Sequence, residues 1–207
     1  MESIFQRAEL LLGAEEMAVL SGKRVILFGV GGVGSWCAEA LIRTGIGHLT
    51  LVDSDVVCPS NVNRQLMATM LTIGRPKAEA LRERLLEINP QADITALQKV
   101  FSEETADSFS FNDYDYVIDA IDSLKDKLLL IRRATDSTAG FFSSMGAALK
   151  MDPTRIRVAE FWRWRDARWP VLCGCASSIS GSGRHGNSSV FIVTSIWKTK
   201  ASNPPMR

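Results

Sequence analysis

The sequence contains no apolar run of about 18 residues, the length that a membrane-spanning helix needs. Its N-terminus also lacks the basic-then-apolar pattern of a secretion signal. The four cysteines, Cys37, Cys58, Cys173 and Cys175, form no C-x-x-C pair of the kind that holds zinc. These residues therefore predict neither a membrane anchor nor a zinc site, and a cytoplasmic protein with reduced thiols is the default expectation.

The sequence also lacks a charge excess of either sign. Its 24 lysines and arginines against 23 aspartates and glutamates leave a net charge of +1, so composition gives no footprint for binding nucleic acid or an anionic membrane surface. Hydrophobic residues make up 46% of the 207 positions, which is enough apolar material for the core of one globular domain.

Two largely apolar runs at 25–28 and 49–53 flank a glycine-rich turn and a helix that extends to about Thr44. Consecutive apolar residues followed by glycine are typical of a strand buried in a parallel sheet. The pattern predicts an α/β fold with a Rossmann-like, doubly wound, mostly parallel sheet and an N-terminal helix. Further strands are predicted at 94–100, 116–119, 141–147 and 156–161, and further helices at 4–20, 76–88, 103–109 and 123–137.

The first motif with chemical content is the glycine-rich turn at 29–34, which contains Gly29, Gly31, Gly32 and Gly34. Glycines permit a tight turn and let backbone N–H groups approach a phosphate at a helix N-terminus. Asp53 closes the second strand, where an acid typically holds ribose hydroxyls. Alone, this pair indicates a nucleotide and favours NAD or FAD; a turn without a ligand is the alternative.

The second motif places two cations after that unit. Asn61, Asn63, Arg64 and Gln65 lie in the polar stretch 60–65, and Lys77 opens the next predicted helix. Two fixed cations can neutralise the charge that develops as pyrophosphate leaves a nucleoside triphosphate. A solvated loop and a lysine that merely starts a helix would give the same pattern, and this alternative stays open at this point.

The third motif, Asp-Ala-Ile-Asp-Ser at 119–123, follows a predicted strand. Ligands of open α/β sheets bind at the carboxyl edge of the strands, where an aspartate can hold Mg²⁺ on phosphates. Asp122 or Ser123 could instead serve only as a helix N-cap.

Six segments in one order resemble the ubiquitin-activating-enzyme-like family of the ThiF/MoeB/HesA type. They are G-V-G-G-V-G, D-S-D, S-N-V-N-R-Q, T-I-G-R-P-K, I-N-P and D-A-I-D-S, and the resemblance covers residues 1 to about 160. Within that family, the stretch 143–156 is similar to the bacterial tRNA threonylcarbamoyladenosine dehydratase branch.

The resemblance implies a homodimer that binds ATP and Mg²⁺. It implies that Lys77 meets the phosphates, that Asp122 binds the metal, and that Arg7 reaches the ATP of a partner subunit; Arg64, Lys77 and Asp122 are the catalytic candidates. The nucleotide site would comprise Gly29, Gly31, Gly32, Gly34, Asp53, Asp55, Asn61, Asn63, Arg64, Gln65, Lys77 and Asp122.

The implied activity is the activation of a carboxylate as an acyl-adenylate. The favoured substrate is threonylcarbamoyladenosine in tRNA, which would be cyclised by loss of water. The main alternative is an adenylyltransferase for a ubiquitin-like sulfur carrier, with a sulfur-carrier or cysteine-desulfurase system as partner. A dinucleotide-dependent oxidoreductase and a nucleotide binder without catalysis are further alternatives. Cys37 is expected in the core, Cys58 is kept as a thiol near the site, and His48 and His185 have no assigned role.

The composition changes near Trp162, and the resemblance stops there. We therefore expect an adenylyltransferase-like domain at 1–162 and an atypical, poorly packed tail at 163–207. Joining the third base of each codon to the first two of the next can spell V-E-G-C-P-L-A-R-A-L-R around Trp164 and R-K-F-Q-C-V-Y-S-D-E from His185. Both stretches are family-like, so we interpret the tail as a frameshifted reading.

Overall fold

The computed structural model describes residues 3–145, 156–160 and 190–195. The helices are α1 (Gln6–Leu12), α2 (Ala14–Gly22), α3 (Gly34–Thr44), α4 (Lys77–Ile88) and α5 (Leu124–Thr135). The strands are β1 (Arg24–Phe28), β2 (His48–Val52), β3 (Asp93–Leu97), β4 (Tyr116–Asp119), β5 (Gly140–Ser144), β6 (Ile156–Glu160) and β7 (Val190–Ser195).

The strands form one sheet in the order β3-β2-β1-β4-β5-β7-β6. All neighbouring pairs are parallel except β6 with β7, which is antiparallel. The order reverses direction between β1 and β4, and in doubly wound sheets ligands bind at the carboxyl ends of the strands at such a point. The predicted Rossmann-like α/β fold is confirmed.

Alternate residues of the central strand β1 pack into two separate hydrophobic cores, one on each face of the sheet. Val25 and Leu27 point to the face covered by α3 and α4, whereas Ile26 and Phe28 point to the face that packs against α5. Burial on both faces explains why β1 is a continuous apolar run rather than an alternating pattern. No helix in the described part of the chain is long and apolar enough to cross a bilayer.

Three predicted elements differ from the structure. The single helix predicted at 4–20 is wrong, because Gly13 adopts a φ of +91° and divides it into α1 and α2. The helix predicted at 103–109 is only a 3-10 turn at Ala106–Ser108. The strand predicted at 94–100 ends at Leu97, whose carbonyl accepts a bond from the Lys99 N–H and so turns the chain.

The strand β7 lies in the sequence region that was expected to be atypical. The apolar run at 190–193 forms part of a strand that pairs parallel to β5 and antiparallel to β6. The rest of 163–207, with Cys173, Cys175 and His185, lies outside the described residues. The poor packing of that tail and its frameshifted origin stay predictions.

Gly34 lies at a position where the fold leaves no room for a side chain. A Cβ added there would lie 1.9 Å from the carbonyl oxygen of Gly29, which is backbone and cannot move aside easily. We expect Gly34→Ala to lower the free energy of unfolding by about 2–3 kcal/mol, the upper range for overpacked sites. Gly22→Ala, where a Cβ would meet nothing within 4 Å, should change it by less than about 1 kcal/mol. Urea denaturation of both variants checks this, and equal stabilities would contradict it.

Candidate nucleotide site

A cavity of about 810 Å³ opens at the carboxyl ends of the strands, beside the point where the strand order reverses. Ten of the twelve residues predicted to bind the nucleotide line it: Gly29, Gly31, Gly32, Asp53, Asp55, Asn61, Arg64, Gln65, Lys77 and Asp122. These residues lie in five separate sequence segments, and the parallel topology brings the segments to one edge of the sheet.

The glycine-rich turn forms the floor of this cavity. Gly29 adopts a φ of +84°, and a Cβ there would lie 2.7 Å from the Ala120 carbonyl oxygen, so only glycine fits between β1 and the end of β4. Gly31 and Gly32 face the cavity and leave the backbone open before the first turn of α3. Exposed backbone N–H groups at a helix N-terminus are suited to an anion such as phosphate.

Asp53 connects the floor to the loop after β2. Its Oδ2 accepts a bond from the Val30 N–H at 2.8 Å, and its Oδ1 accepts one from the Asp55 N–H at 2.9 Å. Burial raises the pKa of this carboxyl, while the two backbone donors and the Lys77 charge oppose that shift. Each carboxylate oxygen has a second lone pair, so the group can still accept a ribose hydroxyl.

Lys77 lies on the first turn of α4 and has a buried ammonium group. Its Nζ donates to Asp55 Oδ2 at 2.7 Å, and its side chain is only 8% exposed although that of Asp55 is 65% exposed. The chain before α4 is held beside the Asp55 loop, because Val57 N–H donates to the Arg75 carbonyl and Lys77 N–H to the Asp55 carbonyl. The site thus contains a positive charge that is fixed in a partly dehydrated position.

Arg64 supplies the second predicted cation and forms another part of the cavity wall. Its Nη1 donates to the Ser60 carbonyl at 2.8 Å and to Asn63 Oδ1 at 3.1 Å. The exposed Trp36 donates its indole N–H to the Arg64 carbonyl at 3.0 Å, which fixes the backbone at that point. The side chain passes next to Gly32, where a Cβ would lie 3.3 Å from Arg64 Cγ.

Two buried amides support this wall. Asn61 Oδ1 accepts a bond from the Cys58 N–H at 2.9 Å and so shapes the turn that precedes Arg64. Gln65 is 6% exposed, and no donor among the described residues reaches its Oε1. Asn63 is absent from the cavity lining, but its Oδ1 accepts a hydrogen bond from Arg64. Gly34 is also outside the lining and is needed for helix packing instead.

Asp122 is exposed and lies at the cavity rim, one residue after Ile121. Among the described residues no group of three or more metal-ligating side chains occurs. Mg²⁺ is commonly bound by one or two carboxylates together with substrate phosphates. An exposed carboxylate in the lining of a cavity large enough for a nucleotide fits that mode of binding.

Two cysteines, a histidine and the N-terminal arginine singled out in the sequence lie outside the cavity. Cys37 is partly buried on α3, where burial raises the pKa of its thiol. Cys58 is exposed, and its Sγ lies 3.7 Å from the Val56 carbonyl. His48 lies 3.2 Å from Asp93 at the start of β2. The exposed Arg7 is on α1, close to Phe5, which lies beside Gly45 at the end of α3 that is remote from the cavity.

Sequence reasoning missed several lining residues. Lys99, Val100 and Phe101 form the wall beyond β3 and belong to no motif. Phe101 packs edge to face with Phe28, with ring centroids 5.1 Å apart. The only signal available was their position at the end of a predicted strand, since strand ends of such sheets face the ligand.

Fold and cavity together define a nucleotide-binding α/β protein of the Rossmann-like type. The chain belongs to the ThiF family, because the sequence model of that family matches residues 5–162.

Among characterised relatives, the chain is 44% identical over 156 residues to a tRNA threonylcarbamoyladenosine dehydratase of Bacillus subtilis, covering 75% of this chain and 61% of the relative. It is 39% identical over 150 residues to the Escherichia coli protein of that name, covering 72% of this chain and 56% of the relative. The chain therefore spans only about three fifths of the length of these relatives.

The fold is similar to that of solved dehydratase structures. The crystal structure of E. coli tRNA N6-threonylcarbamoyladenosine dehydratase in complex with ATP has a TM-score of 0.80 at 32% identity, covering 92% of this chain and 80% of that one. The same enzyme in complex with AMP gives the same TM-score, identity and coverage. A molybdopterin-synthase adenylyltransferase of E. coli is 32% identical over 138 residues, covering 64% of this chain and 52% of the relative.

Proposed function

We propose that this protein uses ATP to activate a carboxylate as an acyl-adenylate. The observation that carries the proposal is the arrangement of Lys77 and Arg64 around a cavity whose floor is the glycine-rich turn. Positive charges in the cavity lining suit a triphosphate better than a dinucleotide, because a departing pyrophosphate develops negative charge that fixed cations stabilise. The solved relatives with ATP and AMP support the same nucleotide.

The proposed chemistry starts from a carboxylate, which is a poor electrophile because oxide is a poor leaving group. A carboxylate oxygen attacks the α-phosphate of ATP, the bond to the β-phosphate breaks, and pyrophosphate leaves. A nucleophile within the same substrate then attacks the acyl carbon and expels AMP, which keeps the carboxylate oxygen. The net result is loss of one water from the substrate, and proximity supplies much of the acceleration.

Each residue has one role in this scheme. Asp53 would hold the ribose, the backbone at Gly31 and Gly32 would contact phosphate, and Lys77 with Arg64 would stabilise the charge on the α-phosphate and the departing pyrophosphate. Asp122 would hold Mg²⁺, which when bound supplies further neutralisation of the phosphates. Its exposed position at the rim leaves room for an ion shared with the nucleotide.

The substrate we propose is threonylcarbamoyladenosine in tRNA, which would place the protein in the cytoplasm. Support comes from the dehydratases at 39–44% identity and from the similar fold of the solved dehydratase. Incubating the chain with ATP, Mg²⁺ and modified tRNA, followed by mass analysis of the nucleosides, tests the proposal. AMP formation with a mass decrease of one water is expected, and unchanged nucleosides despite bound ATP would contradict this substrate.

The scheme uses no enzyme thiol, so Cys58 should be dispensable. Cys58 is an exposed residue of the 54–65 loop and is not part of the cavity lining. We expect Cys58→Ser to retain turnover within about twofold, since a substitution away from the site costs little. Loss of AMP formation in this variant, with ATP affinity unchanged, would indicate a covalent thioester instead.

We further propose a homodimer in which Arg7 contacts the nucleotide of the partner subunit. Arg7 follows Phe5, whose ring lies 3.9 Å from a Cβ built at Gly45, at the C-terminal end of α3. The cavity lies at the N-terminal end of that helix, which is 11 residues or about 16 Å long. Arg7 is therefore far from the cavity of its own chain.

A sulfur-carrier adenylyltransferase is the second candidate, supported by the molybdopterin-synthase adenylyltransferase at 32% identity. Such an enzyme would adenylate the C-terminus of a small carrier protein, and a cysteine desulfurase could then act on the product. Exchange of radiolabelled pyrophosphate into ATP that requires a carrier ending in Gly-Gly, and not tRNA, would favour it.

We also propose that 163–207 is a frameshifted tail. The family match ends at residue 162, where the composition changes. Loss of the family's own C-terminal part could leave ATP binding intact and impair tRNA binding. Sequencing the coding DNA tests this, and the absence of a shifted family-like frame would contradict it.

A further inference from the structure

A lysine occupies a core position on α5. Lys127 is 4% exposed and shares its helix face with the buried Leu130, Ile131 and Ala134, at spacings of three, four and seven residues. This spacing marks the face of a helix that packs on a core, where apolar side chains are the rule. Its ammonium therefore needs hydrogen-bond and charge partners that offset the cost of losing its hydration.

Those partners form a compact cluster at the ends of β4 and β5. Lys127 Nζ donates to Asp119 Oδ2 at 2.7 Å and to the Ser144 carbonyl at 2.9 Å. Ser143 Oγ donates to the same Asp119 Oδ2 at 2.6 Å, and Asp119 Oδ1 accepts from the Ile121 N–H at 3.0 Å. Asp119 and Lys127 are absent from the cavity lining.

Stability alone does not account for the pair. Replacing a buried ion pair by apolar or neutral residues of similar volume is often neutral or stabilising, because both charges lose their hydration. Burial raises the pKa of Asp119, and the adjacent Lys127 ammonium opposes that shift. The pair does hold two backbone groups in place, the Ile121 N–H and the Ser144 C=O. Both residues line the cavity.

We infer that Asp119 and Lys127 act as a positioning pair that fixes the loop carrying Asp122 relative to the end of β5. The inference rests on the proposed function, in which the Asp122 carboxylate holds Mg²⁺ on the nucleotide. Ile121 is hydrogen-bonded to Asp119 and Asp122 is the next residue, so in this inference the direction of the Asp122 carboxylate depends on two side chains that do not line the cavity.

The test uses the full chain and measures ATP affinity by calorimetry, once with Mg²⁺ and once with EDTA. For Asp119→Asn/Lys127→Met, which removes both charges together, we expect the affinity in EDTA to stay within about threefold of wild type. The gain in affinity on adding Mg²⁺ should fall about tenfold, the lower end of the effect of removing groups that orient metal ligands. Asp122→Asn should lose the same gain, and Lys127→Arg should retain part of it.

A second lysine–aspartate pair, which is partly exposed and lies outside the cavity lining, serves as the control. Lys23 and Asp115 lie at the amino ends of β1 and β4, away from the cavity. Lys23 Nζ donates to Asp115 Oδ1 at 2.8 Å, and Asp115 Oδ2 accepts from the Arg24 N–H. Asp115→Asn/Lys23→Met should keep the full Mg²⁺ effect. Thermal unfolding of each variant shows that the chain is folded, and if the double variant does not fold, Lys127→Arg and Asp122→Asn carry the comparison.

An unchanged Mg²⁺ effect in Asp119→Asn/Lys127→Met, or an equal loss in the control pair, would overturn the inference. A wild-type chain that binds ATP equally with and without Mg²⁺ would overturn it as well. Failure of the wild-type chain to bind ATP in either buffer would instead contradict the proposed function.

Discussion

Lys77→Met should reduce the rate of ATP conversion to AMP by about 10²–10³-fold, equivalent to about 3–4 kcal/mol of transition-state stabilisation. The reason is the position of the Lys77 ammonium, which is buried in the cavity wall and fixed by Asp55 at 2.7 Å. A fixed charge in a partly dehydrated site stabilises a departing pyrophosphate without reorganising first. Steady-state AMP formation at saturating ATP measures the effect.

The stability of the Lys77→Met variant should change little, because its partner Asp55 is 65% exposed and can be solvated when the lysine is absent. Lys23→Met is the matched control: it removes a lysine from an ion pair of nearly the same length, 2.8 Å, outside the cavity. That variant should keep full turnover. Equal turnover in Lys77→Met and wild type would show that Lys77 does not stabilise the transition state.

Arg64→Met should lower turnover by a similar factor, about 10²–10³-fold, since removing one preorganised donor to a developing charge slows a reaction by about that factor. Arg64 is exposed at the cavity wall, so its value depends on being held in place. The Ser60 carbonyl and Asn63 Oδ1 accept from its Nη1 and orient the guanidinium. We therefore expect Asn63→Ala to give a smaller loss in the same direction, although Asn63 does not line the cavity.

Arg75→Met provides the control for Arg64. Arg75 lies just before α4, carries a guanidinium paired with Glu83, and is not part of the cavity lining. Its loss should leave turnover within about twofold, as for surface changes away from a site. A large loss for Arg75→Met together with a small one for Arg64→Met would mean that the two arginines have been assigned to the wrong roles.

The parallel strands of the fold could be predicted from the sequence because their burial on two faces produces long apolar runs. The N-terminal helix was misjudged, since apolar spacing in 4–20 continues across Gly13 and only the backbone shows the break at φ +91°. The short strand at 93–97 was predicted too long because Val100 and Phe101 continue the apolar pattern, although they line the cavity.

The residues of the candidate site could be predicted where they belong to a sequence motif. Glycines, acids and cations at 29–34, 53, 64 and 77 come from sequence segments that resemble those of a nucleotide-binding family, and the topology brings them to one sheet edge. Lys127 could not be found in this way, because nothing in a helical pattern distinguishes a solvated lysine from one buried against Asp119. Asn63 was placed in the site by its motif, whereas its contact with Arg64 gives it a supporting position.

The most direct test of the account is the mass of the modified nucleoside after incubation of threonylcarbamoyladenosine-bearing tRNA with ATP, Mg²⁺ and the purified chain. We expect loss of one water from that nucleoside together with one AMP and one pyrophosphate, with both changes slowed by about 10²–10³-fold in Lys77→Met. An intact nucleoside, from a chain that binds ATP and is folded by circular dichroism, would contradict the proposed dehydration.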